Sequence, residues 1–174
     1  IDAGDALLAA ADAHLECAWQ VAEHDGRPLE LINKTNQFNL NGRRLERDDF
    51  ARRLAASDAV TLVVSYRDKY GPLGKIAVLS GRRRADCVEV DAWVMSCRAF
   101  GRRIEHQVIA QLFARSGAAE LSLAFEPTER NGPLREFLAA ISGEPPTGPL
   151  RLTREAFMRA CPPLHHTVTT LVDD

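Results

Sequence analysis

The sequence predicts one α/β domain of the α+β type: a mixed, largely antiparallel sheet with helices on both faces. Three observations predict it. Apolar residues alternate with period two over 60–66, 76–79 and 87–97. The period switches to 3.6 past Arg98, and two short helical patterns separate the first strand from the second. With 174 residues, 45% of them apolar, the chain is long enough to bury a core without disulfides or a structural metal.

In chain order, Asp5 to Ala13 is rich in Ala and Leu, so residues 1–14 read as a lead-in helix or linker and 15–174 as a single domain. From Leu15, Cys17, Trp19 and Val21 alternate with Glu16 and Gln20, which predicts a strand. Asp25-Gly26 breaks it, and Pro28 suits the first turn of a helix reaching Thr35. A second helix is expected from Asp48 or Asp49, turning Phe50 and Leu54 inward. Val60 to Tyr66 predicts a strand, Tyr70 to Gly74 a turn, Ile76 to Leu79 its partner strand and Ser80 to Asp86 a second connection. Cys87 to Cys97 closes an antiparallel meander. Ile104, Val108, Ile109, Leu112 and Phe113 then mark a helix over 101–115 with Gly117 as its stop. Leu121 to Phe125 reads as a strand, Leu134 to Ile141 as a helix closed by Gly143, and Thr167 to Val172 as a last strand.

A net charge of −2 argues against a nucleic-acid-binding protein or a polybasic membrane anchor. Nineteen of the 22 basic residues are Arg, an excess attributed mostly to compositional drift. Cys17, Cys87, Cys97 and Cys161 form no C-x-x-C pair, which excludes a zinc knuckle and leads to the expectation of free thiols in a reduced, cytoplasmic protein. No apolar run reaches the roughly 18 residues of a membrane helix, and no signal-peptide pattern opens the chain. The start at Ile1 suggests a piece of a longer or processed protein.

Four segments could carry chemistry. Cys97-Arg98-Ala99-Phe100-Gly101-Arg102-Arg103 lies at a strand-to-helix junction, where free N–H groups and the helix dipole favour an anion. The same residues would also serve a plain helix start with solvated arginines. Lys34-Thr-Asn-Gln-Phe-Asn39 offers amide donors and acceptors for a polar ligand, or for its own backbone. Cys97, ahead of an Arg-rich helix start, is a candidate nucleophile, with His106 and the adjacent Glu105 as proton-transfer candidates; an inert free thiol is the alternative. Pro127 to Phe137 places Asn131 at the start of a helix. His165-His166 reads as a surface pair, and no metal site is predicted.

The strand–helix order and the junction at Arg98 resemble the GNAT-type acyltransferases. There an R/Q-x-x-G-x-G/A turn holds the pyrophosphate of coenzyme A or of a phosphopantetheine arm. Arg98 and Gly101 match that pattern, and Arg103 stands where a small residue is expected. A GNAT general-acid Tyr would fall at position 138, which is Leu138 here. More narrowly, Leu31-Ile-Asn-Lys-Thr-Asn-Gln-Phe-Asn-Leu40, Tyr66-Arg-Asp-Lys-Tyr-Gly71, Val94 to Glu105 and Pro127 to Phe137 resemble the C-terminal GNAT-like domain of the FkbH-like family, across about residues 30 to 142.

This resemblance implies a glyceryl-type acyltransferase that loads acyl carrier protein in polyketide or antibiotic biosynthesis. It implies Cys97 as the transient thioester and Lys34, Asn36, Gln37 and Asn39 as the acyl pocket. Arg98, Gly101, Arg102, Arg103 and Asn131 would hold the phosphopantetheine arm or coenzyme A, with no covalently bound cofactor. The family joins this domain to a HAD-type phosphatase domain, whose Asp-x-Asp-x-Thr loop is absent from these residues, so that partner would lie outside this sequence. Two rivals are a coenzyme-A-dependent N- or O-acyltransferase and a non-catalytic carrier-docking module. The latter would use Arg82-Arg83-Arg84, Arg102 and Arg103 to meet an acidic carrier.

Overall fold

Seven strands form one sheet in the computed structural model, which describes residues 2–171. The elements are α1 (Ala3–Ala9), β1 (His14–Ala18), α2 (Arg27–Lys34), α3 (Arg47–Ala55), β2 (Ala59–Asp68), β3 (Gly71–Arg84) and β4 (Cys87–Met95). A 3-10 turn (Cys97–Ala99) leads to α4 (Ile104–Ser116), β5 (Glu120–Leu123), α5 (Gly132–Ser142), β6 (Leu150–Thr153), α6 (Arg154–Ala160) and β7 (Thr167–Thr170). The sheet order is β6-β5-β4-β3-β2-β1-β7. Only the β4–β5 and β1–β7 pairs among the described strands are parallel. This is the mixed, largely antiparallel α+β sheet the sequence predicts.

The alternation that predicts the strands also sorts their side chains between two apolar layers. Val63, Val78 and Val94 are register partners in a row, and they pack against Leu31 and Ile32 of α2 and Phe50 of α3. The neighbouring rows Leu62–Leu79–Trp93 and Val64–Ala77–Met95 face the other way, in the larger core with Ile104, Val108 and Leu112 of α4 and Leu134 and Leu138 of α5. Fully burying such a side chain stabilises the fold by about 1.5–3 kcal/mol before entropy costs, so both sheet faces need their helices.

The structure moves several boundaries. The first hairpin turn is Lys69-Tyr70, and Gly71 to Gly74 already belongs to β3. Gly81 to Arg84 is also strand; the expected loop shrinks to Ala85-Asp86. The arginines stay in register because their charges project outward, where Arg82 pairs with Asp58 and Arg84 with Glu89. Helix α4 begins at Ile104, not Gly101, because Gly101 (φ +79°) and Arg103 (φ +57°) break the helical backbone just before it. The tail holds β6 and α6, neither of which the sequence pattern predicts, and Phe157 anchors α6 with no exposed surface. Val172, expected in the last strand, lies outside the described residues. The lead-in helix is tied to the domain: Asp5 accepts hydrogen bonds from Arg103 (2.7 Å) and His165 (2.7 Å), which hold its carboxyl below the usual range.

Candidate functional site

The site is organised by a gap between two parallel strands. β4 and β5 pair from Cys87↔Glu120 to Val90↔Leu123 and then diverge. Residues 38–41 fill the opening. The Leu40 N–H donates to the Trp93 carbonyl (3.0 Å), Met95 N–H to Phe38 (3.0 Å), and Glu126 N–H to Leu40 (3.1 Å). One residue, Leu40, thus bonds to both sides of the gap.

Three buried asparagines lock that segment. Asn41 Nδ2 donates to the carbonyls of Asp91 (2.9 Å) and Ala124 (3.1 Å), the first residues past the last β4–β5 pair, while its Oδ1 accepts from Arg43 N–H (3.1 Å). Asn39 Nδ2 donates to Thr35 O (3.0 Å) at the end of α2, and its Oδ1 accepts from Asn41 N–H (3.2 Å) and Gly42 N–H (2.8 Å). Asn131 Nδ2 donates to the carbonyls of Asn39 and Glu126 (both 2.9 Å), and its Oδ1 accepts from Thr128 N–H (2.8 Å). A buried amide whose oxygen and NH2 group are both bonded to the backbone is held in place by the fold rather than presented to a ligand. Asn39 and Asn131 therefore sit behind the site and shape it, without facing a pocket. Asn41 has the same office, and its alternation with Phe38 and Leu40 is the sequence signal that marks it.

In front of this lock lies an open cleft of about 290 Å3, lined by Lys34, Asn36, Gln37, Met95, Ser96 and Cys97 among others. The sequence-predicted Lys34, Asn36, Gln37 and Cys97 are thereby brought to one place. Cys97 is exposed at the start of the 3-10 turn. Ser96 fixes that turn: its N–H donates to Ile76 O (2.7 Å), and its Oγ accepts from Arg98 N–H (3.4 Å) and Nε (3.3 Å). Arg44, which sequence reasoning misses, shapes the opposite wall. Its guanidinium donates to Ile32 O (3.1 Å), Thr35 O (3.2 Å) and Asn36 Oδ1 (2.5 Å). The helix C-terminus is a natural seat for such a cation.

The basic turn at 98–103 divides. Arg98 is exposed and has no ion pair among the described residues. Arg102 folds back onto the loop, donating to Arg98 O (2.7 Å) and Phe100 O (3.2 Å) with its guanidinium 5.6 Å from the centre of the Tyr66 ring. Arg103 donates to Asp5 and to Pro163 O (2.8 Å), contacts that hold its left-handed backbone. Two of the three arginines thus brace the turn, and Gly101 supplies its positive φ.

Glu105 and His106 are not in the cleft with Cys97. Glu105 lines a smaller recess of about 110 Å3 with Phe38, Phe100, Gly101 and Phe137; Met95 borders both spaces. His106 Nδ1 is 3.5 Å from Glu105 Oε1, and its ring stands edge-on to Phe137 at 4.9 Å. Glu105 Oε2 and His106 Nδ1 have no hydrogen-bond partner.

His165 and His166 are not a free surface pair: both are half-buried, His165 against Asp5 of α1 and His166 against the basic turn and α4. His166 Nε2–H donates to Arg102 O (2.7 Å), Nδ1 lies 3.3 Å from Gln107 Nε2, and burial lowers its pKa. The proposed carrier-facing arginines are likewise occupied: Arg82 by Asp58, Arg83 by Ser116 O and Asp86, Arg84 by Glu89. Among the described residues no three His, Cys, Asp or Glu side chains group as metal ligands, and no helix is long and apolar enough to cross a membrane.

No protein-family model and no curated protein matches the sequence. Solved structures do resemble the fold. A domain from Methanocaldococcus jannaschii DSM 2661 superposes with a TM-score of 0.50 at 14% identity, over 74% of this chain and 88% of that one. Two acetyltransferases align less closely. The ribosomal-protein-S18-alanine N-acetyltransferase from Escherichia coli has a TM-score of 0.42, 12% identity and coverage of 67% and 69%. Nourseothricin acetyltransferase has a TM-score of 0.40, 15% identity and coverage of 81% and 95%. At these identities the likeness concerns fold, so chemistry is argued from the cleft, which an exposed cysteine shares with a lysine and two side-chain amides.

Proposed function

We propose that the chain is an acyltransferase domain of GNAT-like architecture that passes a glyceryl-type acyl group through Cys97 to the phosphopantetheine thiol of an acyl carrier protein. One observation supports the reading above the rest: Lys34, Asn36 and Gln37, some 60 residues from Cys97 in sequence, line the same cleft as its thiol.

In the proposed reaction Cys97 Sγ, as thiolate, attacks the carbonyl carbon of an acyl thioester. The new C–S bond forms as the donor's C–S bond breaks, and the donor thiol leaves with the proton that Cys97 gave up. A second exchange of the same kind moves the acyl group to the carrier's thiol. Thioester exchange is nearly isoenergetic, so the cleft's work is to position the groups and stabilise the oxyanion. Lys34 supplies positive charge, the amides of Asn36 and Gln37 bond the hydroxyls of a glyceryl chain, and Arg98 meets the phosphate of the arm. Removal of phosphate from the donor would belong to a HAD-type phosphatase partner in a reduced, cytoplasmic setting.

Intact-protein mass spectrometry after incubation with a glyceryl thioester and carrier protein tests this. The expected result is one acyl adduct on the parent and none on Cys97→Ala. Carrier loading by Cys97→Ala at the parental rate overturns the nucleophile. Turnover of acetyl-coenzyme A on small amines would instead support the N- or O-acyltransferase. Carrier binding with no adduct on either protein would support the docking module.

A further inference from the structure

The wall that α2 gives to the Cys97 cleft carries more positive than negative charge. Arg27 and Lys34 both line the cleft, and one carboxylate, that of Glu30, serves them both. Arg27 holds it by a hydrogen bond of 2.7 Å. Lys34 stands off at 3.6 Å with a side chain 76% exposed, a surface contact worth little. Among the described residues no Asp or Glu lines the cleft, and Arg44 has no carboxylate partner.

What Arg44 bonds decides which edge of Asn36 the cleft receives. A guanidinium has donors and no acceptor, so the atom it meets at 2.5 Å is the amide oxygen, Asn36 Oδ1. That leaves Nδ2 as the free end of a half-buried side chain on the cleft wall; it has no bond to the described protein and is not sealed from solvent. Ser96 adds a second donor, because its Oγ accepts from Arg98 while its hydroxyl hydrogen is unclaimed. The other two bonds of Arg44 cover Ile32 O and Thr35 O, carbonyls at the negative end of α2 that would otherwise repel an anion.

We infer that Arg44 is a positioning residue that makes this cleft a donor-lined site for negatively charged oxygen, met by Asn36 Nδ2, the Ser96 hydroxyl and Lys34. In the acyl transfer proposed above, on which this assignment of the oxygen rests, it is the oxyanion that develops on the thioester carbonyl as Cys97 attacks. The preference itself holds for any small anion that reaches the thiol.

Alkylation of Cys97 reads that preference without turnover. Iodoacetate and iodoacetamide react alike: Sγ displaces iodide, the S–C bond forming as the C–I bond breaks. They differ in the charge they bring beside the attacked carbon. The measured quantity is the ratio of their rate constants at Cys97, by peptide mapping, in the folded chain and in the same chain unfolded in urea. The folded ratio should exceed the unfolded one about threefold, the scale of an exposed charge contact. Arg44→Gln and Asn36→Ala should each remove most of that excess, whereas a change in packing alone would speed or slow both reagents together. Asn36→Asp keeps its bond to Arg44 as an ion pair, so it should fold as the parent does and still bring the ratio below the unfolded value. Equal ratios in the folded and unfolded parent, or a parental ratio in Asn36→Asp or in folded Arg44→Gln, overturn the assignment. Turnover of a glyceryl thioester separates the two readings. Arg44→Gln should lower kcat about tenfold with KM within about twofold, and an unchanged kcat overturns its role in that reaction. A folded excess of iodoacetate reactivity with no acyl adduct on Cys97 would overturn the acyl transfer and support the anion preference.

Discussion

Replacing Asn41 by Ala asks whether one side-chain amide holds the diverging strands and the inserted segment together. Asn41 is 7% exposed and makes three hydrogen bonds to backbone: two from Nδ2 to Asp91 O and Ala124 O, and one accepted from Arg43 N–H. A typical protein hydrogen bond is worth about 1 kcal/mol net, and a buried group left orphaned costs about 1–3 kcal/mol. The partners here are part-buried, so water recovers some of the loss, and the expected cost is about 3 kcal/mol. With a urea m-value of about 1–3 kcal/mol/M, the midpoint should fall by about 1–3 M at unchanged slope.

The isosteric Asn41→Asp sharpens the test. It keeps the acceptor for Arg43 N–H but sets a carboxylate oxygen against two carbonyl oxygens with no donor between them. At neutral pH it should therefore cost more than Ala despite its better shape. The same repulsion raises the folded-state pKa of the new carboxyl. Its proton is bound more tightly folded than unfolded, so the Asp deficit narrows as pH falls toward the carboxylate range. A loss under about 1 kcal/mol for Ala, or an Asp protein no less stable than the Ala protein at neutral pH, would refute the clamp.

The other expectations are simpler. Iodoacetamide should modify exposed Cys97 at least about tenfold faster than Cys17, which is buried with its pKa pushed up to about 11; equal rates by peptide mapping would contradict the placement of both. His166 has a folded pKa below its ordinary 6.5 because burial disfavours the cation, so the unfolded chain binds the proton first. Stability should therefore drop as pH falls from about 7.5 to 5.5, and His166→Gln should flatten that part of the urea-midpoint profile. Gly81→Ala should cost about 3 kcal/mol, because the new Cβ meets backbone that no rotamer change can move; a thermal midpoint within error of the parent would show that the β-bulge at Gly81 relaxes freely.

How much of this was legible in the sequence depended on whether a signal was periodic or directional. The core strands and α4 were readable because alternation and 3.6 spacing report which side chains are inside, and Leu62, Val64, Trp93 and Leu112 are inside. Turn residues misled where the ladder tolerates them. Pro72 sits near the start of β3 and Gly81 at a bulge, the two strand positions where those residues belong, so neither ends the strand. The arginines at 82–84 look like a loop only if charge is taken for a break; on a solvated face they pair with acids and leave the backbone in register. Helix α6 was hidden because its seven residues bury one side chain, Phe157, and one anchor has no period.

The polar string at 34–39 poses the harder problem, since composition shows that amides are present but not where they point. Lys34, Asn36 and Gln37 reach the cleft; Asn39 turns inward to satisfy Thr35, Asn41 and Gly42. The difference follows from a second, shorter pattern laid over the first. Phe38-Asn39-Leu40-Asn41 alternates apolar and amide residues, and in the structure it makes an isolated antiparallel bridge, Asn39 with Val94, in a gap where β4 and β5 no longer pair. An aliphatic side chain at 41 would leave the Asp91 and Ala124 carbonyls without this donor, and one at 39 would strip Thr35 O, Asn41 N–H and Gly42 N–H of their partner, which is why amides, each a donor and an acceptor, fit there. On this argument the string is two devices joined end to end: a ligand-facing half that ends at Gln37, and a structural half that holds the first half in place.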